Sequence, residues 1–165
     1  MIHKTILMAV SVVFFSACKP DNEATGNRAG KPQVYVVNYP LAYFANRIGG
    51  KMIDVHFPEI NGDPAFWKPK AEDVHAFQGA DLILLNGATY AKWTTKASLP
   101  KSKIVNTSAG FQDRFIGVKK DLAHKHGKDD NHNHTGTAFM TWLDLKQAEQ
   151  QAGAIRDALI KLLPG

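Results

Sequence analysis

The sequence has only one cysteine, Cys18, among 165 residues. An intrachain disulfide is therefore impossible, and in an oxidising compartment the fold must be stabilised by packing alone. Long apolar runs are also lacking. The longest, Thr5 to Phe15, has eleven residues, well short of the roughly 20 that a transmembrane helix needs.

Clusters of positive charge are absent too. The net charge is +5, but the basic residues are scattered and no arginines alternate with aromatic residues. Nucleic acid is therefore not expected as a partner, and the charge allows at most a mild attraction to anionic membrane surfaces. There is no Gly-x-Gly-x-x-Gly turn, no Gly-Lys-Ser/Thr loop and no Gly-x-Ser-x-Gly elbow, so nothing supports nucleotide binding or a serine hydrolase.

The N-terminus has the pattern of an export signal. Lys4 gives a basic start, the apolar run follows, and Ser16 and Ala17 place small residues before Cys18. We expect residues 1–17 to be a signal peptide. The site resembles a bacterial lipobox, in which Cys18 would be lipidated and would anchor the protein on the periplasmic side of a membrane. An ordinary cleavage site near Ala17 is the alternative, because Phe15 stands where leucine is usual.

The remaining chain divides into a tether and one domain. Residues 18–32 contain no large apolar group after Cys18 and are typical of a flexible tether. Residues 33–165, about 130 residues, are enough for a single domain with its own core.

Short β-branched runs alternate with helical patterns in this domain. The predicted strands are Val34–Val37, Ile53–Phe57, Asp81–Leu85 and Lys103–Asn106. The predicted helices between them are Tyr39–Ile48, Lys70–Gln78 and Ala88–Lys96. Because parallel strands need long crossovers, the alternation predicts an α/β fold with a parallel four-stranded sheet flanked by helices. The third strand is apolar nearly throughout, which indicates burial on both faces.

A last helix is predicted after Trp142, with Asp144 as its N-cap. Apolar residues recur in it at helical spacing: Leu145, Ala148, Ala152, Ile155, Leu159, Leu162 and Leu163.

Ligands of open α/β sheets bind beyond the carboxyl ends of the strands. The segments expected there are Asn38-Tyr39-Pro40, Pro58–Pro69 and Asn86-Gly87-Ala88.

A polar, histidine-rich stretch, residues 120–138, precedes the last helix. Four of the seven histidines lie in it as two His-x-His pairs: His124, His126, His132 and His134. Imidazole is the commonest protein ligand of zinc and also suits copper. A His-x-His pair in extended chain projects both rings to one face, so two pairs can complete a tetrahedral zinc site. We predict a disordered loop that captures metal; a merely solvated polar loop is the alternative.

Several short motifs also occur in a recognisable order. They are Val37-Asn38-Tyr39-Pro40-Leu41, Ile48-Gly49-Gly50, Gly62-Asp63-Pro64 with Trp67, Ala80-Asp81-Leu82-Ile83-Leu84, Asn86-Gly87-Ala88 and Trp142-Leu143-Asp144. This series resembles the zinc/manganese ABC transporter substrate-binding protein family. The resemblance implies a non-enzymatic component of metal uptake that delivers zinc or manganese to an ABC permease. It also implies two lobes joined by a long helix, with the metal held between them by histidines and a carboxylate.

The sequence departs from the family pattern at two positions. Ala65 and Met140 stand where the resemblance places histidines, and neither residue can replace imidazole for zinc. We therefore expect the histidine-rich loop to take over metal capture. The chain matches one lobe only, so a second lobe would be absent or supplied by another chain.

Other candidates are assigned structural roles. We expect Phe66 and Trp67 to pack, Asp63 to form a turn, and Met140 to lie in the core. His56 and His75 are not expected to bind metal.

Two rival functions remain open from sequence: a stand-alone periplasmic zinc or copper buffer, and a metal-dependent hydrolase, which would need a general base and an open coordination position. A chain without function, left by truncation, is a third alternative.

Overall fold

The computed structural model describes residues 30–118 and 136–163. Strands β1 (Gln33–Val36), β2 (Asp54–His56), β3 (Leu82–Leu85) and β4 (Ile104–Asn106) form one sheet in the order β2-β1-β3-β4. All three pairings are parallel. The predicted parallel four-stranded sheet is confirmed.

Three helices flank this sheet: α1 (Tyr39–Gly49), α2 (Ala71–Gly79) and α3 (Leu145–Leu162). The β1-α1-β2 and β2-α2-β3 crossovers run in opposite directions along the sheet, so right-handed connections place α1 and α2 on opposite faces. Helix α3 packs against α1, with Leu159 beside Gly49. None of the helices in the described ranges is long and apolar enough to span a bilayer.

The core fills the two spaces between the sheet and the helices. Val34, Val36, Ile83 and Leu84 are fully buried in the central strands. On the α2 face, the ring of Phe77 lies 5.1 Å from that of Tyr35. Each fully buried side chain of this size contributes about 1.5–3 kcal/mol. The sequence Leu-Ile-Leu-Leu of β3 is apolar because this strand is covered on both faces, as predicted.

Helix boundaries follow from local hydrogen bonds. The Asn38 side chain accepts from the amide of Leu41 (3.0 Å) and starts α1. Gly50, with φ of 53°, ends it in a conformation that glycine adopts without strain. Asp144 caps α3 by accepting from the amides of Lys146 and Gln147. The predicted cap of the last helix is confirmed.

The helix predicted over Ala88–Lys96 is wrong. Ala88, Thr89 and Ala91 have φ of 49°, 65° and 50°, the left-handed region that a right-handed helix cannot contain. Only Lys92–Thr95 forms a 3-10 turn. The chain instead folds back at this point and brings Tyr90 into the protein, where that side chain is 8% exposed.

The buried face of α3 also differs from the apolar pattern. Leu145, which begins the predicted stripe, is 84% exposed. The buried residues are instead Gln147, Gln151, Ile155, Ala158 and Leu159. Two polar residues are thus buried on α3. Gln151 contacts polar groups at the ends of β3 and β4, described below, and Gln147 donates to the carbonyl of Arg114.

A short antiparallel pair lies outside the main sheet. Strand β5 (Gly117–Val118) pairs with β6 (Gly136–Thr137), and the amide of Ala138 donates to the carbonyl of Ile116 (2.8 Å). The chain between β5 and β6 carries the four histidines of the predicted loop. Those residues, the predicted signal peptide and most of the predicted tether lie outside the described ranges.

Candidate functional site

A cleft of about 240 Å³ opens at the carboxyl edge of the parallel sheet. It is lined by Asn38, Tyr39, Pro40, Asp63, Pro64, Tyr90, Phe139, Met140 and Trp142. Two of the three segments expected at this edge contribute residues, and Tyr90 follows the third. The cleft therefore lies where ligands of open α/β sheets bind.

Two buried asparagines form the floor beneath the cleft. Asn38 Nδ2 donates to Asn86 Oδ1 (3.2 Å), which joins the ends of β1 and β3. Asn86 Nδ2 donates to the carbonyl of Phe139 (2.9 Å). Asn86, fully buried, thereby fixes the segment that forms the far wall of the cleft. Its role is structural, which the sequence alone did not indicate.

Further polar groups converge on Asn86 from below. Gln151 Nε2 donates to Asn86 Oδ1 (3.2 Å) and to Thr107 Oγ1 (2.9 Å), and the Thr107 hydroxyl donates to the carbonyl of Leu85 (3.0 Å). The Thr141 hydroxyl also reaches Asn86 Oδ1 (3.4 Å). Buried polar groups need such partners, since an unmade hydrogen bond costs about 1–3 kcal/mol. This network ties α3 to the cleft floor.

Asp63 lies at the rim of the cleft. Its Oδ1 accepts from the amide of Ala65 (2.9 Å) and caps the 3-10 turn Pro64–Phe66. The predicted turn-forming role is confirmed. The side chain is exposed and its Oδ2 has no hydrogen-bond partner in the described part of the chain. One carboxylate oxygen is therefore available at the cleft.

Aromatic rings form the walls. The Tyr90 ring lies 5.5 Å from that of Phe139 and 5.8 Å from that of Trp142, at interplanar angles of 73° and 79°. Burial raises the pKa of the Tyr90 hydroxyl, and the negative charge of Asp63 raises it further. Behind this wall, Trp67 packs edge-on against Trp93 with centroids 5.6 Å apart, which confirms the expected packing role of Trp67.

The two positions that the family resemblance assigns to histidine occupy different environments. Ala65 is 5% exposed and packs in the core. Met140 is 53% exposed and lines the cleft, so the expectation that it is a core residue is wrong. The buried place at this turn is taken by Thr141, whose hydroxyl reaches Asn86, and Met140 is turned outward as a result.

Neither of the described histidines, His56 and His75, lines the cleft. His56 Nε2 lies 2.6 Å from Gln33 Oε1 and its ring stacks on Tyr35 at 4.7 Å. His75 is exposed on α2. No group of three or more His, Cys, Asp or Glu side chains that could hold a metal occurs within residues 30–118 and 136–163. The predicted ligands His124, His126, His132 and His134, and the predicted lipidation site Cys18, lie outside these ranges.

A parallel α/β unit with a cleft at the carboxyl edge of its sheet has the architecture of one lobe of a solute-binding protein. The sequence profile of the family described as zinc-uptake complex component A, periplasmic (ZnuA), matches residues 34–165. The chain belongs to this family, and the resemblance seen in the sequence is confirmed. A comparison with curated proteins found no match.

Several solved structures have a similar fold. The metal-dependent lipoprotein YcdH from Bacillus subtilis is 22% identical, with a TM-score of 0.63 over 81% of this chain and 46% of its own. The Mn-bound periplasmic metal binding protein from Candidatus Liberibacter asiaticus is 25% identical, with a TM-score of 0.64 over 81% and 47%. The Zn(II)-bound ZnuA-like domain of Streptococcus pneumoniae AdcA is 19% identical, with a TM-score of 0.61 over 82% and 46%. The chain thus spans about half the length of these proteins.

Proposed function

We propose that this protein is an extracytoplasmic metal-binding component of an ABC-type metal uptake system, and that zinc is the ion it captures. Membership of the ZnuA family carries this proposal. Among structures of the same fold, one is a Zn(II)-bound domain and another is an Mn-bound protein. Manganese and copper are the competing ions. The protein acts by binding and release, with a permease as its downstream partner, and performs no catalysis.

The ligands are proposed to be His124, His126, His132 and His134. Among the described residues that line the cleft there is no imidazole, and the positions expected to supply it are Ala65 and Met140. Zinc prefers four nitrogen or sulfur ligands, and two His-x-His pairs supply four. We assign the ligands to these four histidines because the described lining of the cleft contains no imidazole.

The surroundings of the histidine-rich stretch favour a site close to the cleft. Its two ends are held together by the pairing of Gly117 with Thr137 and of Val118 with Gly136. Shortly after β6, Phe139 and Met140 enter the cleft wall. Holding the two ends of a chain segment together lowers the entropy that the segment loses when it binds an ion.

A competitive zinc titration tests the ligand assignment. The full chain carrying Cys18→Ser would be compared with a variant in which the four histidines are alanine, and with a control carrying His56→Ala and His75→Ala. We expect about one zinc per chain in the parent and the control, and none in the four-histidine variant. Affinity should fall below about pH 6.5, where imidazole is protonated. Equal zinc binding by all three proteins would refute the ligand assignment.

The anchor and the ion choice have separate tests. Cells that express the chain and are fed labelled palmitate should label the parent protein and leave Cys18→Ser unlabelled.

Titrations with Mn²⁺ and Cu²⁺ against bound zinc would rank the ions. Tighter binding of Mn²⁺ than of Zn²⁺ would contradict zinc as the cargo, since nitrogen ligands bind manganese more weakly.

A further inference from the structure

The cleft has a chemistry of its own, distinct from metal capture. Four of its lining residues are aromatic, Tyr39, Tyr90, Phe139 and Trp142, and one is a carboxylate, Asp63. Within the described ranges, no lysine, arginine or histidine lines it. The described lining therefore combines aromatic rings with one negative charge and contains no positively charged side chain.

The rings are arranged as adjoining walls. Phe139 and Trp142 stand at 73° and 79° to the Tyr90 ring, with centroid separations of 5.5 and 5.8 Å. Tyr39, 68% exposed, lies at the mouth. The face of an aromatic ring carries the negative part of its quadrupole, so a ring that turns its face to the cleft would attract a cation within about 6 Å of its centroid.

The charge of Asp63 adds to this attraction. Its Oδ1 is held by the amide of Ala65 (2.9 Å), which fixes the carboxylate at the rim. Burial raises the pKa of the Tyr90 hydroxyl, and the charge of Asp63 raises it further, so this charge acts on the Tyr90 wall as well as at the rim. A positive ligand in the cleft would therefore be attracted by Asp63.

We propose that this cleft binds the head group of a small quaternary ammonium compound. The proposal goes beyond metal uptake and does not depend on the histidine-rich stretch. An alkylated ammonium spreads its charge over weakly hydrated methyl groups, and aromatic walls can take the place of that water. A metal ion needs several ligands together, and no group of three or more His, Cys, Asp or Glu side chains occurs in the described ranges. A volume of about 240 Å³ is sufficient for one such head group.

Calorimetric titration of the full chain with choline, in EDTA to remove metal, tests this proposal. The matched comparison is 3,3-dimethylbutan-1-ol, which has the shape of choline without its charge. We expect saturable binding of choline at one site, and binding of the neutral alcohol at least about tenfold weaker. Equal affinity for the two compounds, or no saturable choline binding, would overturn the proposal.

Two pairs of variants locate the binding. Tyr39→Leu removes a ring at the mouth, and Tyr43→Leu, one turn along α1 and outside the cleft, is its control. Asp63→Asn keeps an oxygen to cap the 3-10 turn but removes the charge, and Glu72→Gln is its exposed control. Tyr39→Leu and Asp63→Asn should each weaken choline binding about three- to tenfold, while the controls stay within about twofold. Unchanged affinity in both cleft variants would refute the assignment of the site.

Because these titrations contain EDTA, they are independent of the zinc measurements. Zinc binding without choline binding would leave the metal proposal intact and remove this one. Choline binding without zinc binding would do the reverse.

Discussion

Gln151 Nε2, in the middle of α3, donates to Oδ1 of Asn86 at the end of β3, 3.2 Å away. Both side chains are fully buried. The other end of the same amide, Gln151 Oε1, has no hydrogen-bond partner within the described residues. The helix is thus tied to the cleft floor by a contact that leaves one buried acceptor unpaired.

The two members of this contact should respond differently to substitution. Gln151→Leu should change the free energy of unfolding by less than about 1 kcal/mol, because it removes the unpaired Oε1 and leaves Asn86 Oδ1 with Asn38 and Thr141 as donors. Asn86→Leu should destabilise by about 3 kcal/mol or more, because it removes the acceptor of the Asn38 amide and the side-chain donor to the Phe139 carbonyl, and leaves Gln151 Nε2 only its bond to Thr107.

Urea unfolding followed by circular dichroism measures both changes. A loss above about 2 kcal/mol in Gln151→Leu would show that the network depends on Gln151 itself, contrary to this expectation.

Gly87 should not tolerate a side chain. Its φ is +74°, and a Cβ at this position would collide with Ser108 Oγ and Asn106 Oδ1. We expect Gly87→Ala to destabilise by about 2–4 kcal/mol. At Gly79, the last residue of α2, an added Cβ would meet no described atom within 4 Å, so Gly79→Ala should stabilise by about 0.5–1 kcal/mol. Thermal unfolding of the pair would contradict the argument if the two midpoints moved in the same direction.

Thr89 lies in the same turn as Gly87, and here the change to glycine should stabilise the protein. It is exposed and has φ of 65°, a conformation that is unfavourable for a β-branched residue. Thr89→Gly should stabilise the protein by about 0.5–1 kcal/mol, since the relief of strain exceeds the entropy that glycine adds to the unfolded chain. Thr95→Gly, in the neighbouring 3-10 turn, lacks this strain and should destabilise. If chemical denaturation showed Thr89→Gly to be less stable than the parent, the inference that Thr89 is strained would be wrong.

Alkaline pH should expose the environment of Tyr90. Its pKa lies above the ordinary value of 10.0 in the folded state, so the unfolded chain loses this proton first. The contribution of Tyr90 to stability is therefore complete below about pH 10 and is lost as pH rises further. Between about pH 9 and about pH 11, the free energy of unfolding of Tyr90→Phe should fall less than that of the parent, by up to about 1 kcal/mol. Unfolding curves with the same pH slope in both proteins would rule out a raised pKa.

Much of the scaffold could be predicted from the sequence. The four strands pair in parallel as expected, because β-branched runs separated by crossover-length helices leave few other arrangements. The Asp144 cap and the Gly50 helix end depend on hydrogen bonds and φ angles within a few residues, so local sequence determines them. The place of the cleft follows from the general rule for parallel sheets.

Some features depended on contacts distant in sequence. The prediction of a helix over Ala88–Lys96 was wrong because the turn after Asn86 packs against residues at the end of β4 and just after it. A local sequence pattern contains no information about that distant contact. The face of α3 that is buried includes Gln147 and Gln151, since the surface beneath it is polar. The metal ligands, the signal peptide and the lipid anchor stay predictions from sequence.

By itself the sequence determined the α/β class, the parallel pairing of four strands, and the family. Only the tertiary structure decided that Met140 faces the cleft while Ala65 packs in the core. It alone brought Asp63, Tyr90 and Trp142 together from separate segments. The physical reason is that periodicity reports which side of an element is apolar, whereas the chemistry of a cleft depends on which distant side chains meet there.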